Sequence, residues 1–208
     1  MPLDDLDLEP LPPELKADTP LDSQVMSNAF QEFIFQKSRG SRNVRRDALH
    51  EAGHCIGAWR CGFQVERIDI RRSSTGENGQ SACVASFSVM AKRFGTAYPK
   101  THFELAVVSV SGIVAERLVF QDDIDIFNEF RWANDIREAK FHLENSKKFS
   151  NKKEAEFPLV LKEAEGILRE NWASVERLAM GSMKGRRVLS NKTIIKLIEG
   201  KDEILISK

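Results

Sequence analysis

The stretch RRDALHEAGHCIGAWRC, residues 45–61, is the most informative part of this 208-residue sequence. Its large and small apolar side chains recur at nearly helical spacing, at Leu49, Ala52, Ile56 and Trp59. Gly62 follows directly and is a typical helix stop signal. The pattern therefore predicts an α-helix from Arg45 to Cys61.

This predicted helix contains an H-E-x-x-H motif, His50-Glu51-Ala52-Gly53-His54. Positions i and i+4 of a helix return to nearly the same face, so both imidazoles can bind one tetrahedral Zn²⁺. Glu51 is offset along the helix, where its carboxylate can reach a metal-bound water whose pKa zinc lowers towards ~7. The motif thus predicts hydrolysis at a carbonyl, with His50 and His54 as ligands. Glu51 is the predicted base, and it can pass its proton on to a leaving amine.

The alternative is a helix whose histidines merely pack or form hydrogen bonds. Two glycines inside the predicted helix, Gly53 and Gly57, argue against it. Each interior glycine costs about 1 kcal/mol relative to alanine. The pair therefore indicates that something approaches that face of the helix closely.

Two histidines leave a catalytic zinc one protein ligand short. Spacing alone leaves several candidates open for the third position: His102, His142, Glu104, Glu116, Asp122, Asp123, Asp125, Asp135 and Glu138. For Asp135 a second interpretation exists, because Asp135-Ile136-Arg137-Glu138 also fits an N-terminal capping box. An acidic residue at a helix start needs no metal to explain it.

The rest of the chain predicts a mainly α fold with a small β-hairpin or sheet. Alternating apolar residues at 64–72 and 81–90, separated by the turn-like 73–80, predict the hairpin. Four further helices are expected: a nearly all-apolar one over 102–120, an amphipathic one over 133–144, a long one from Pro158 to about Met180, and a short one capped by Ser190 or Asn191.

The N-terminal segment differs in composition from the rest. Residues 1–24 combine prolines with acidic residues, so we expect a disordered or extended arm over 1–40 and a folded domain over 41–208. The apolar residues of 25–36 could dock on the core. Residues 37–46 are basic, but the chain carries 31 basic and 31 acidic residues and a net charge of +0, which disfavours a nucleic-acid partner.

Targeting signals and cysteines indicate the compartment. The acidic start lacks the features of a secretory signal, and no run of residues approaches the ~20 apolar positions that span a bilayer. The three cysteines, Cys55, Cys61 and Cys83, form no C-x-x-C pair, so buried free thiols in a reducing environment are expected. We therefore expect a cytoplasmic protein.

The HEAGH motif and several later segments resemble the peptidase domain of the FtsH family of ATP-dependent zinc proteases. They fall in the family's order: VERIDIRR at 65–72, VSGIVAERLVF at 110–120, ANDIREA at 133–139, and 170–198 as the C-terminal helices. The resemblance covers about 45–200. HEAGH and ANDIREA are its specific parts.

The resemblance implies an FtsH-peptidase-like helical fold and a zinc ion held by His50, His54 and Asp135, the aspartate of ANDIREA. Glu116 needs a partner on its apolar helix, through either a hydrogen bond to a ligand histidine or a structural salt bridge. Asn134 is a further candidate to support a ligand. FNEFRW stands where the family carries a glycine-rich segment, which changes the expected shape of the substrate cleft.

The implied activity is a zinc endopeptidase that acts on unfolded or flexible polypeptides. The sequence contains no G-x-x-x-x-G-K-[ST] loop, so we expect activity without ATP, with a protein partner or self-association as further possibilities. Two alternatives stay open: a catalytically silent zinc-binding scaffold or regulatory relative, and a hydrolase of non-peptide amides or esters.

Overall fold

The computed structural model of the chain describes residues 25–35, 42–70, 84–88, 98–120, 126–149, 157–183 and 188–201. These residues form a mainly helical fold with one small sheet, as predicted. The elements in chain order are α1 (Asn28–Phe35), α2 (Arg42–Cys61), β1 (Gln64–Asp69), β2 (Val84–Ser88), α3 (Tyr98–Val119), α4 (Ile126–Phe149), α5 (Phe157–Glu170), α6 (Trp172–Met183), β3 (Val188–Ser190) and α7 (Asn191–Glu199).

The sheet has the strand order β2-β1-β3, and both pairings are antiparallel. Ile68 lies at its centre, opposite Ala85 on one side and Leu189 on the other, and is fully buried. The predicted hairpin of β1 and β2 is confirmed, although both strands are shorter than expected. Its turn, 73–80, lies outside the described residues. The sequence did not predict β3, because three residues are too few to show alternation.

Two helix boundaries differ from the sequence prediction. Helix α4 spans Ile126–Phe149, whereas the sequence predicted a shorter helix over 133–144. The long helix expected from Pro158 to Met180 is two helices, α5 and α6, that meet at Asn171. The side-chain amide of Asn171 donates to the backbone carbonyl of Ile167 (2.7 Å). The backbone carbonyl of Asn171 accepts from the backbone N–H groups of Ser174 (2.9 Å) and Val175. An asparagine that bonds to nearby backbone in this way ends one helix and begins the next.

Helix α1 packs on the domain although it lies within the predicted N-terminal arm. Phe30 and Ile34 are buried, and the Phe30 ring meets the edge of Trp172 at a centroid distance of 5.9 Å. The backbone N–H of Ser27 also donates to Glu176 (2.9 Å). The expectation that the apolar residues of 25–36 could dock on the core agrees with this packing. Residues 1–24 lie outside the described part of the chain.

The terminal helix α7 starts as predicted but without the expected cap. Ser190 occupies the N-cap position, yet its side chain makes no capping hydrogen bond. Asn191 instead donates to the carbonyl of Val65 in β1, which ties α7 to the sheet. Among the described helices, none is both long enough and apolar enough to cross a membrane.

The crossing of α2 and α3 decides where the candidate site lies. A Cβ atom added at Gly53 of α2 would stand 2.5 Å from the carbonyl oxygen of Ser111 and 3.0 Å from the Cα of Gly112, both in α3. A Cβ at Gly57, one turn later, would stand 2.9 Å from the Cβ of Ser111. The close approach predicted from these glycines is confirmed: the backbone of α3 lies against Gly53, and the Ser111 side chain lies against Gly57.

We expect Gly53→Ala and Gly57→Ala each to lower the free energy of unfolding by roughly 1–3 kcal/mol, because each added methyl group would overlap atoms of α3. Gly166→Ala is the matched control: it lies in α5 with no atom within 4 Å of the added Cβ. That change should stabilise the protein by about 0.5–1 kcal/mol. Urea unfolding measures all three. A Gly53→Ala protein as stable as Gly166→Ala would contradict the close packing.

Candidate metal centre

Three potential ligand atoms converge where α2, α3 and α4 meet. The Nε2 atoms of His50 and His54 lie 2.9 Å apart. Oδ2 of Asp135 lies 3.0 Å from the first and 3.5 Å from the second. A tetrahedral zinc ion with bonds of about 2.0–2.1 Å would space its ligand atoms by about 3.3–3.4 Å. The three residues therefore form a possible metal-binding triad, with all ligand atoms within 4.8 Å of one another.

The hydrogen bonds on the far side of each ring set the tautomer of each histidine. Nδ1 of His54 lies 2.8 Å from the carbonyl oxygen of Val108, and Nδ1 of His50 lies 2.8 Å from Oε1 of Glu116. A carbonyl and a carboxylate only accept, so both Nδ1 atoms carry the proton. The lone pair of each neutral ring is then at Nε2 and points at the other ligand atoms, as in metal-bound histidines.

A cation is needed where these electron-rich atoms meet. Oδ2 of Asp135 is buried without a hydrogen-bond partner among the described residues, since its approach to the two rings lacks hydrogen-bond geometry. Burial alone would lower the pKa of His50, but Asp135 and Glu116 outweigh it and raise that pKa to about 10. Burial would raise the pKa of the Asp135 carboxyl, yet the two histidines hold it well below its usual range. The two carboxylates therefore favour a positive charge at this position, either a proton on His50 or a metal ion in its place.

The carboxylate of Glu116 connects the ligands to the core. It is fully buried and accepts from three side chains: Nδ1 of His50 (2.8 Å), Nε of Arg46 (2.9 Å) and the indole N–H of Trp132 (3.3 Å). Both roles predicted for Glu116, the bond to a ligand histidine and the salt bridge, therefore occur together. Arg46 also lies over the ring of Phe120, 4.8 Å from its centroid.

Sequence reasoning missed Arg46 and Trp132. Arg46 is one helical turn before His50, and Trp132 lies three residues before Asp135, so each shares a helix face with a ligand. That spacing is the signal that could have found them. It becomes informative only once Glu116 is known to face both helices.

Gly112 leaves the space that the histidines occupy. A Cβ atom at this position would lie 2.5 Å from Nε2 of His54 and 2.8 Å from Nε2 of His50. Any side chain there would displace the rings from each other and from Asp135. Gly112 belongs to the segment 110–120 that carries part of the resemblance, and the structure supplies the physical reason for a glycine at this position.

Glu51 is buried, with 5% of its surface exposed, and is not one of the three converging residues. Its negative charge helps to raise the pKa of His54 against the effects of burial and of His50. Burial, and then the Glu51 charge, also raise the pKa of the Cys55 thiol. Cys55 is a buried thiol, as expected, and Cys61 is half-buried. Cys83 lies outside the described residues.

Asp135 occupies the tenth position of α4, so the capping-box interpretation is wrong. The capping pattern requires a helix start, and this helix starts at Ile126. Asn134 is exposed, and its side-chain oxygen accepts from Arg137 (2.7 Å) on the helix surface.

The other candidates for a third ligand lie elsewhere. His102 and His142 contact each other, with their Nδ1 atoms 3.0 Å apart. Glu138 is exposed, Glu104 is half-buried on α3, and neither belongs to the triad. The three aspartates of the acidic segment fall outside the part of the chain that the structure describes: Asp122, Asp123 and Asp125.

Comparisons of the sequence with known proteins do not identify a family for this chain. No model of a known protein family matches the chain. A search of curated proteins finds no match either. The site is therefore interpreted from its own residues.

Asp135→Ala should reduce zinc affinity at least about 100-fold, because removing a ligand costs more than removing a ligand's hydrogen-bond partner. Asn134→Ala, at the neighbouring exposed position, is the matched control and should leave affinity unchanged. Competition with a chromophoric chelator measures both. Equal affinities in the two variants would remove Asp135 from the ligand set.

Glu116→Gln keeps the shape of the side chain but removes the charge that Arg46 and His50 face. We expect a loss of about 10–100-fold in metal affinity, and of about 3 kcal/mol in the free energy of unfolding, because Arg46 is left as a buried unpaired charge. The control is Glu165→Gln, which breaks a half-exposed i,i+4 pair with Arg169 (2.7 Å). That change should cost less than about 0.5 kcal/mol. Chemical unfolding and chelator competition distinguish the two variants.

Proposed function

We propose that this chain is a zinc-dependent endopeptidase, with His50, His54 and Asp135 as metal ligands and Glu51 as the general base. One observation carries the proposal: three metal-ligand atoms converge beside a buried glutamate that directly follows the first ligand in sequence. Two imidazoles and one carboxylate form a donor set that suits catalytic zinc. Such a set leaves a fourth position for water or substrate.

The proposed chemistry divides between the metal and the chain. Bound zinc would supply Lewis acidity, which polarises the scissile carbonyl and acidifies water. Glu51 accepts the proton of the attacking water and then delivers it to the leaving amine. Val108 and Glu116 hold the two rings in the tautomer that binds metal, so the ligand geometry does not depend on solvent.

The relationship to FtsH-type peptidases is part of the proposal. That resemblance implied Asp135 as the third ligand, and Asp135 is the carboxylate that lies against both histidines. This agreement supports the relationship, because spacing alone left nine candidates and also allowed a capping role. The sequence contains no phosphate-binding loop of the G-x-x-x-x-G-K-[ST] type, so the proposed activity is independent of ATP.

Unfolded or flexible polypeptide is the proposed substrate. Strand β2 pairs with β1 along one edge and, within the described residues, has no strand on its other edge. An extended peptide can add to such an edge through backbone hydrogen bonds. A stably folded protein offers no free strand for this purpose, so it should be cut slowly.

The decisive experiment compares casein cleavage by wild type, Glu51→Gln and the exposed-site control Glu163→Gln, with zinc content measured in each protein. Glu51→Gln should lose activity by roughly 10²–10⁴-fold, the usual contribution of a general acid–base group, and retain its zinc. Glu163→Gln should match wild type. A chelator should abolish wild-type cleavage, and added Zn²⁺ should restore it.

Two results would overturn the peptidase proposal. If wild type holds one zinc ion and cuts neither casein nor peptides, the zinc-binding scaffold becomes the better account. If Glu51→Gln cuts as fast as wild type, then Glu51 is not the base, and hydrolysis by this site is refuted.

A further inference from the structure

A second pair of histidines lies at the same helix seam but away from the triad. His102 belongs to the start of α3 and His142 to the later part of α4, and their Nδ1 atoms lie 3.0 Å apart. The ring centroids are 5.3 Å apart, with the planes tilted by 37°. His142 follows Asp135 by seven residues, which is two helical turns or about 10 Å along α4. The pair is therefore separate from the proposed zinc site.

Both rings are neutral in the metal-free pair, where the N–H of one Nδ1 can donate to the other Nδ1, and a bound cation would take the place of that proton. Burial lowers the pKa of His102, and burial together with the His102 charge lowers the pKa of His142. Two imidazoles this close cannot both carry a charge without mutual repulsion. Near neutral pH both rings are neutral, and neutral imidazole is the metal-binding form.

We propose that His102 and His142 form a second metal site, for a late first-row divalent cation such as Zn²⁺ or Cu²⁺, that bridges α3 and α4. Adjacent ligand atoms at bonds of about 2.0 Å are about 2.8 Å apart in a square-planar complex and about 3.3 Å apart in a tetrahedral one. The observed 3.0 Å lies between these values. Imidazole nitrogen favours copper, nickel and zinc over magnesium or calcium. Water completes the coordination of this half-buried site.

A cation at this pair would join two helices that both contribute to the triad. Helix α3 carries Gly112 and Glu116, and α4 carries Trp132 and Asp135. His102 and His142 are 40 residues apart in the sequence, so they can bind the same ion only when the chain is folded. Binding therefore stabilises the native state, and the thermal midpoint should rise with metal concentration.

The test is a titration of the metal-depleted full chain with Zn²⁺ and, separately, Cu²⁺, followed by calorimetry. Wild type should bind two equivalents. His102→Gln and His142→Gln should each keep one tight equivalent and lose the second, with its affinity weakened at least about 10-fold. Lys140→Gln, at an exposed neighbouring position of α4, is the control and should bind two.

The converse variant keeps the test independent of the triad. His54→Gln should lose the tight equivalent and retain the one that His142→Gln removes, with Cu²⁺ showing two nitrogen ligands by electron paramagnetic resonance. Circular dichroism of each variant shows whether it has folded. The proposal is refuted if folded His142→Gln binds as many equivalents as wild type with the same affinities. Neither outcome depends on casein cleavage, so failure here is distinct from failure of the peptidase proposal.

Discussion

The close approach of α2 to α3 is the constraint on which the rest of the site depends. Glycines on α2 let the backbone of α3 come near enough for its side chains and carbonyls to reach the histidines. Contact residues are spaced by four on α2 and by a multiple of four on α3, and they advance along α2 as they go back along α3. Arg46 and His50 bind Glu116, and His54 contacts the carbonyl of Val108. This is how helix ridges spaced by four residues interdigitate. A wider crossing would break these contacts together, because each of them spans the same gap.

Charge balance then explains how α4 joins this pair of helices. A fully buried carboxylate is costly unless it is paired and hydrogen-bonded, and Glu116 has a charged partner in Arg46 and a neutral donor in Trp132 of α4. Asp135, one turn beyond Trp132, brings a second carboxylate that Arg46 does not contact in the described structure. The negative charge of Asp135 can be balanced by a proton on His50 or by a metal ion in its place. A buried polar network is unfavourable when some of its groups lack partners. The packing that buries Glu116 and Asp135 therefore also creates a position that a cation can fill.

Local periodicity accounts for what the sequence could predict, and long-range packing for what it could not. His50, Glu51 and His54 lie within two turns of one helix, where spacing alone fixes their relative positions. Asp135 comes close to them only through the packing of α4 on α3, so spacing left nine candidates for the third ligand. The residues after Asp135 also fitted a helix cap, although Asp135 lies in the middle of α4. The roles of Arg46 and Trp132 could not be predicted for the same reason, because their common partner Glu116 belongs to another helix. The break at Asn171 was missed because side-chain bonds to backbone leave no trace in hydrophobic periodicity.

The donor set itself favours a hydrolytic role for a bound metal over a structural one. Structural zinc sites are closed by four cysteine or histidine ligands, whereas three protein ligands leave a position open. Cys55 directly follows His54, but it does not belong to the group of converging ligand atoms. The Glu51 carboxylate is buried and lies close enough to His54 to raise the pKa of that ring, which is consistent with the base role proposed for it.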